Sequence, residues 1–286
     1  LLGIGVFGGF YIVPLFALVQ SRGNPSRLSR IIAANNILNA LLMVLSAACG
    51  IVLIGVLELS IPEFFLALSL LNILVAAFIY TLVPEFMIRL LVWMLTHTLY
   101  RVKHHGLEQI PDEGPCVLVC NHVSYVDALL LAGAIRRPVR FVMFKPIYDL
   151  PVLNYIFRTG KAIPIDSKAR NPEIYQQAFE RVQAELDDGE VVCIFPEGKL
   201  TTDGDVDEFK NGIEKIISRN PVPVIPLALR GLWGSVFSHK GGQALTKPPR
   251  RFWSRVELVA GEPVAPAQVS AADLRQRVMA LRGDRA

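Results

Sequence analysis

The first third of the chain is patterned for lipid and the remainder for water. Residues 1–21, 31–57 and 64–84 are apolar and carry no charge, and each satisfies the ~20-residue length of a bilayer-spanning helix. Residues 86–100 are apolar apart from Arg89 and a terminal histidine-containing turn, too short for another crossing and better suited to an interfacial helix. Beyond residue 100 the apolar positions fall into short runs. Those at 116–120, 139–144, 162–165, 191–195 and 222–229 read as buried strands, with one more at 255–260, and helical periodicity marks 125–135, 172–186 and 271–281. Strands that are apolar on both faces and alternate with helices predict an α/β fold, a mostly parallel sheet flanked by helices. The predicted organisation is an all-α transmembrane segment of three helices over 1–84, a linker helix over 85–100, and a soluble domain over 101–286.

Charge adds a topology. The loop 21–30 holds three arginines and no acid, whereas 58–63 holds two acids and no base. By the positive-inside tendency this places residue 1 outside and returns the chain to the cytoplasm before the soluble domain; a bacterial inner membrane is the expected setting. The chain opens on Leu1, with neither a basic leader nor a small-residue cleavage site, so it reads as a piece of something longer and not as a signal peptide. Gly3-Ile4-Gly5-Val6-Phe7-Gly8 satisfies G-x-G-x-x-G but follows no strand, and reads as helix packing rather than a dinucleotide site. Cys49, Cys116, Cys120 and Cys193 form no C-x-x-C pair, which predicts neither disulfide nor zinc. The net charge of +4 gives no indication of nucleic-acid binding. Two arginine clusters, at Arg136, Arg137 and Arg140 and at Arg250, Arg251 and Arg255, read as solvated surface.

The candidate chemistry sits at strand ends. Asn121-His122-Val123-Ser124-Tyr125-Val126-Asp127 follows the first buried strand, and Phe195-Pro196-Glu197-Gly198 follows another. In open α/β sheets, sites form at the carboxyl ends of strands, so both segments are expected to face one crevice. A histidine with an aspartate five positions on suits the removal of a proton from an alcohol, the aspartate orienting the ring. Ser124 and Asp127 also have capping-box spacing, a structural role compatible with that chemistry.

Four blocks in order resemble the glycerolipid acyltransferase family, which includes 1-acylglycerol-3-phosphate and lysophospholipid acyltransferases: 121–127, Gly160-Lys161-Ala162-Ile163-Pro164-Ile165-Asp166, Phe195-Pro196-Glu197-Gly198 with Thr201, and Val222-Pro223-Val224-Ile225-Pro226. The resemblance covers residues 101–263. It implies His122 as general base with Asp127 as its partner, Asn121, Ser124, Phe195, Pro196, Glu197, Gly198, Thr201 and Pro226 in the substrate site, and Lys145 on a phosphate. It implies a lysophospholipid acceptor at the bilayer, acyl-CoA or acyl carrier protein as donor, and no metal or other cofactor. One departure stands out. Members that use a phosphate monoester usually carry arginine after the aspartate of the second block, and here that position is Ser167, with Lys168 and Arg170 following. Serine cannot supply an arginine's two parallel hydrogen bonds, so a singly charged phosphodiester acceptor such as lysophosphatidylethanolamine is held open beside lysophosphatidate.

The membrane half, with its small residues and with Asn35, Asn36 and Asn39 inside a span, resembles the last three helices of a major-facilitator-type transporter. The expected whole is a membrane-bound O-acyltransferase. Two rivals accompany it: a hydrolase using Ser124 or Ser235, neither of which stands in G-x-S-x-G, and a lysophospholipid transporter segment with a non-catalytic tail.

Overall fold

A computed structural model describes residues 2–23, 25–82, 84–151, 153–242, 244, 246 and 253–283, and the chain divides into two compact units, Leu1–Ile79 and Tyr80–Ala286. The first unit is helical: α1 (Leu2–Arg22), α2 (Leu28–Ile51, continued by a π-helical turn over Val52–Val56) and α3, which begins at Ile61 and runs to Leu82. Leu28–Val56 and Ile61–Ile79 are long and apolar enough to cross a membrane. The described apolar run of α1, Gly5–Ala17, is shorter, so two of the three predicted spans meet the criterion. Ser60 fixes the start of α3 by donating its backbone N–H and hydroxyl to Glu63 Oε2 at 2.9 and 2.6 Å.

The second unit is built on seven strands: β1 (Tyr100–His105), β2 (Cys116–Cys120), β3 (Val139–Phe144), β4 (Ile163–Ile165), β5 (Val191–Ile194), β6 (Val224–Arg230) and β7 (Ser254–Ala260). Their order is β1-β7-β6-β2-β5-β3-β4, and every neighbouring pair is parallel except β6 with β7. Helices α4 (Pro84–Leu99), α5 (Asp127–Ala134), α6 (Lys145–Tyr148), α7 (Leu153–Thr159), α8 (Pro172–Asp187), α9 (Gly212–Arg219) and α10 (Ala271–Arg282) accompany it.

The central strands β2, β5 and β6 are almost wholly apolar and buried because both faces of the sheet are covered there. On one face Val117, Val119, Val192 and Val224 pack with Phe179 and Val182 of α8, Ile213 of α9 and Leu274 of α10. On the other, Leu118, Cys193, Ile225 and Leu258 pack with Tyr100 and with Leu130 and Leu131 of α5. Each fully buried aliphatic side chain contributes ~1.5–3 kcal/mol relative to exposure. The three strand cysteines are buried and free; burial pushes the Cys116 thiol up to about 11, with Arg137 opposing.

Several elements depart from the sequence reading. β1 and α9 were not anticipated. The predicted linker helix is α4, which packs on α5: a Cβ on Gly133 would lie 2.6 Å from Thr96 Oγ1, and Arg89 donates to the carbonyls of Ile135 and Arg136 at 3.2 and 2.7 Å. It thus belongs to the second unit, while Leu91, Trp93 and Leu95 remain exposed. Arg140, expected on the surface, is 2 % exposed and meets Glu85, Glu185 and Glu190 at 2.7, 3.1 and 3.0 Å, a set of partners that offsets the cost of burying its charge. Arg137 is also structural, donating to the carbonyls of Pro111, Gly114 and Gly189. Arg250 and Arg251 lie outside the described residues.

Candidate active site

β2 and β5 are adjacent and parallel, so the turns that follow them meet at one end of the sheet. Asn121, buried at the end of β2, locks that end to β6: its Nδ2 donates to the Leu229 carbonyl at 3.1 Å, and Leu229 N–H donates to its Oδ1 at 2.8 Å. His122 comes next. Its Nδ1 lies 2.9 Å from Asp127 Oδ2, and its ring stacks on Phe195 at 4.2 Å between centroids with a 19° interplanar angle. The side chain keeps 22 % exposure while Asp127 is fully buried.

Asp127 opens α5. The same Oδ2 that meets the imidazole also accepts the backbone N–H groups of Val123 and Ser124 at 2.7 and 2.9 Å. This is half of the expected capping box; the Ser124 hydroxyl accepts instead from Val126 N–H at 3.4 Å. With Asp127 on Nδ1, the ring's Nε2 is the nitrogen left for a substrate proton, and the carboxylate fixes both tautomer and orientation. Tyr100 lies near enough for the Asp127 charge to help burial push its hydroxyl above the ordinary phenol value, burial being the larger cause.

Glu197 is 2 % exposed, and each of its oxygens is taken by a backbone donor: Oε1 by His122 N–H at 2.7 Å and Oε2 by Asp207 N–H at 2.9 Å. Burial pushes its pKa up to about 7, against the pull of those two hydrogen bonds and of His122, and with Asp207 adding to the rise. The carboxylate therefore faces the protein's own backbone rather than a crevice. Gly198 adopts φ +69°, and a Cβ there would collide with the Lys210 amine. Thr201 ties the two turns together, its N–H donating to the His122 carbonyl at 3.0 Å and its hydroxyl to Asp203 Oδ1 at 2.9 Å. Pro196 accepts the Lys210 N–H at 3.0 Å.

Two predicted residues sit apart. Pro226 is within β6, beside Val119, and its carbonyl accepts Gly261 N–H at 2.9 Å. Lys145 starts α6 at the end of β3, where it pairs with Asp149 and lines a cavity of about 410 Å³ with Asn154, Arg158 and Arg181. None of the residues around His122 or Glu197 lines it. Ser167 turns back on its own backbone, its hydroxyl accepting Arg170 N–H at 3.2 Å, and the Arg170 guanidinium lies 5.5 Å from the Phe144 ring, next to Lys145. Among the described residues no group of three or more His, Cys, Asp or Glu is placed to hold a metal ion.

Sequence reasoning missed the supports. Tyr125 N–H donates to the Phe237 carbonyl at 3.2 Å and Ser124 bridges Ser238, so the loop after β6 docks on the His122 turn. Asp207, Arg275 and Arg282 were also passed over; no local motif marks them.

Residues 101–230 match the family described as Acyltransferase. A chloroplastic 1-acyl-sn-glycerol-3-phosphate acyltransferase of Brassica napus is 30% identical over 133 residues, 46% of this chain and 38% of that protein. An N-acylphosphatidylethanolamine synthase of Arabidopsis thaliana is 31% identical over 184 residues, 58% of this chain and 63% of that protein. The chain thus spans less than two thirds of the length of either relative. The crystal structure of the 1-acyl-sn-glycerophosphate acyltransferase of Thermotoga maritima superposes with a TM-score of 0.51 at 25% identity, covering 64% of this chain and 69% of that one.

Proposed function

We propose, from the match of residues 101–230 to the family described as Acyltransferase, that the protein moves a fatty acyl group from acyl-CoA or acyl carrier protein to the free hydroxyl of a lysophospholipid. The acceptor is 1-acylglycerol-3-phosphate or lysophosphatidylethanolamine. The observation that carries the reading is the buried Asp127 carboxylate, 2.9 Å from His122 Nδ1 and itself pinned by two backbone donors. An alcohol is almost wholly protonated at neutral pH, so its oxygen attacks a thioester only as a base removes the proton, a contribution of typically ~100- to 10,000-fold. His122 Nε2 takes that proton as the oxygen bonds to the thioester carbon. The carbon–sulfur bond then breaks, and the thiolate recovers the proton from the imidazolium that Asp127 has steadied.

No serine nucleophile enters this scheme, since the Ser124 hydroxyl is turned to Val126 N–H. On this reading the helices of the first unit, two of which are long and apolar enough to cross a membrane, anchor the enzyme, with α1 as a third span as in the resemblance to a major-facilitator-type transporter and the acyltransferase unit on the cytoplasmic side. A second acceptor chemistry deserves a place in the assay because of the relative named as an N-acylphosphatidylethanolamine synthase: the same base can unload an amine.

The test is transfer from labelled acyl-CoA by the purified chain and its His122→Ala variant, offered lysophosphatidate, lysophosphatidylethanolamine and phosphatidylethanolamine in parallel. Labelled lipid that disappears with the histidine is the expected result, and the preferred acceptor reads out the consequence of Ser167. Equal transfer by both proteins would sink the mechanism.

A further inference from the structure

The segment 199–211, between Gly198 and α9, contains neither helix nor strand; Gly198 just before it and Gly204 within it take φ +69° and +97°. Nothing in its own secondary structure holds it in place, yet it carries the N–H that occupies Glu197 Oε2. Its ends are tied by Thr201 N–H to the His122 carbonyl and by Lys210 N–H to the Pro196 carbonyl, and Val206 and Phe209 are buried in the core, while the backbone carbonyls of 204–207 are gripped from α10. Arg275 donates from Nε to the carbonyls of Val206 and Asp207 at 3.2 and 3.0 Å and from Nη2 to Val206 at 2.7 Å. Arg282 reaches the Gly204 carbonyl at 2.6 Å and Asp205 Oδ1 at 3.1 Å.

Helix α10 is a firm base for this grip. Leu274 and Val278 are fully buried in the core, Ser270 caps its first turn by accepting Asp273 N–H at 3.1 Å, and Ala271 N–H donates to Glu214 at 2.9 Å. It also lies outside the segment that matches the family.

We propose that Arg275 is a positioning residue for His122, acting through the 204–207 loop and Glu197. The inference rests on the function proposed above. The sequence of contacts is continuous: the guanidinium fixes the Val206 and Asp207 carbonyls, Asp207 N–H fixes one oxygen of Glu197, and the other oxygen fixes His122 N–H at 2.7 Å. Released from Arg275, the loop withdraws a donor from Glu197, and the backbone of the proposed base loses a rigid partner. Geometry this close to a reacting group matters steeply, since a misplacement of about 1 Å can cost 100-fold in rate.

The chain predicts a pH signature as well. The groups around Glu197 are His122, Asp207, Cys120 and Lys199, with the Lys210 amine beside Gly198. Among the effects on Glu197 itself, Asp207 N–H favours the ionised form, so its loss moves the carboxyl's titration upward.

The experiment compares Arg275→Ala, Arg275→Lys and, as a control from the exposed face of the same helix, Arg277→Ala, with kcat, acceptor KM, kcat against pH and Tm for each. Arg275→Ala is expected to lower kcat by up to about 100-fold with acceptor KM unchanged, to shift the acid limb of kcat to higher pH, and to recover in part on addition of free guanidinium. Arg275→Lys, which lacks the planar fork, should fall between, and Arg277→Ala should match wild type. A lowered Tm with kcat and its pH profile intact would reduce Arg275 to a structural residue and overturn the proposal, as would a raised acceptor KM with kcat preserved. Absence of acyl transfer by the wild-type chain is a separate outcome: it removes the proposed function, and this inference with it.

Discussion

The turns after β2 and β5 and the turn after β3 occupy the same end of one mostly parallel sheet, yet they are built on opposite principles. At the first, most of the polar atoms are held by neighbours: Asp127 Oδ2 takes three donors while its Oδ1 has none among the described residues, Glu197 takes one on each oxygen, and both carboxylates are buried. At the second, Lys145 is paired with Asp149 one helical turn away, and the two side chains are 31 % and 50 % exposed. The first arrangement fixes atoms before a substrate arrives, which is what proton transfer requires. The second leaves a cation whose partner is screened and replaceable, which suits recognition of an anion. Under the proposed function, positioning for chemistry and adaptable recognition are separated within a few strands of one sheet.

Disturbing the fixed turn should cost most. Asp127→Asn preserves volume but offers the Nδ1 side of His122 an amide, leaving the wrong tautomer and an unsteadied imidazolium; kcat is expected to fall by up to about 10,000-fold with little change in acceptor KM, measured by steady-state acyl transfer. Retention of a tenth of the wild-type rate would show that the pair is not the proton-transfer device. Gly198→Ala follows. It forces a side chain into the left-handed region and against Lys210, a cost of ~1–2 kcal/mol that a lowered Tm would register, together with reduced kcat from the displaced Glu197 turn.

Glu197 sharpens the contrast through pH. Its folded pKa of about 7 lies above that of an unfolded glutamate, so between roughly pH 4.3 and 7 the folded state holds the extra proton. Stability present at low pH is therefore lost as pH rises through that window. Activity should run the other way, because only the ionised carboxylate accepts both N–H groups without placing a proton between them. Paired melting and kcat profiles from pH 5 to 8 test the opposition. In Glu197→Gln both dependences assigned to this carboxyl should flatten, with kcat lowered throughout; profiles that retain the wild-type slopes would remove Glu197 from the account.

The same division explains what could be read from sequence. β2, β5 and β6 announce themselves because burial on both faces requires uninterrupted apolar runs such as Cys116-Val117-Leu118-Val119-Cys120. β1 does not: Tyr100-Arg101-Val102-Lys103-His104-His105 is an edge strand, exposed at most positions, and its polar residues mimic a linker. Helix α9 is only eight residues long, too brief for periodicity to stand out. That His122, Asp127 and Glu197 come together was legible because both segments follow apolar runs that read as strands, which puts them at one end of the sheet. That Glu197 serves the backbone was not, since Asp207 lies ten residues on in an irregular loop and Arg275 a further 68. Arg140 shows the reverse error, for three consecutive-looking surface arginines concealed one whose carboxylate partners come from three separate elements.

The adaptable turn should yield the smallest effects. Lys145→Ala removes a half-exposed ion pair worth ~0.2–1 kcal/mol, so Tm should scarcely move, and kcat at saturating acceptor should be near wild type because no bond links Lys145 to the His122 turn. If the cation receives an anionic headgroup, the loss appears in acceptor KM, and more strongly for lysophosphatidate, with its dianionic phosphate, than for lysophosphatidylethanolamine. Asp149→Asn frees the same lysine and should lower KM for the same acceptor. Opposite shifts in the two variants would mark the β3 turn as recognition, while a fall in kcat in both would place Lys145 with the fixed machinery and erase the contrast between the two turns.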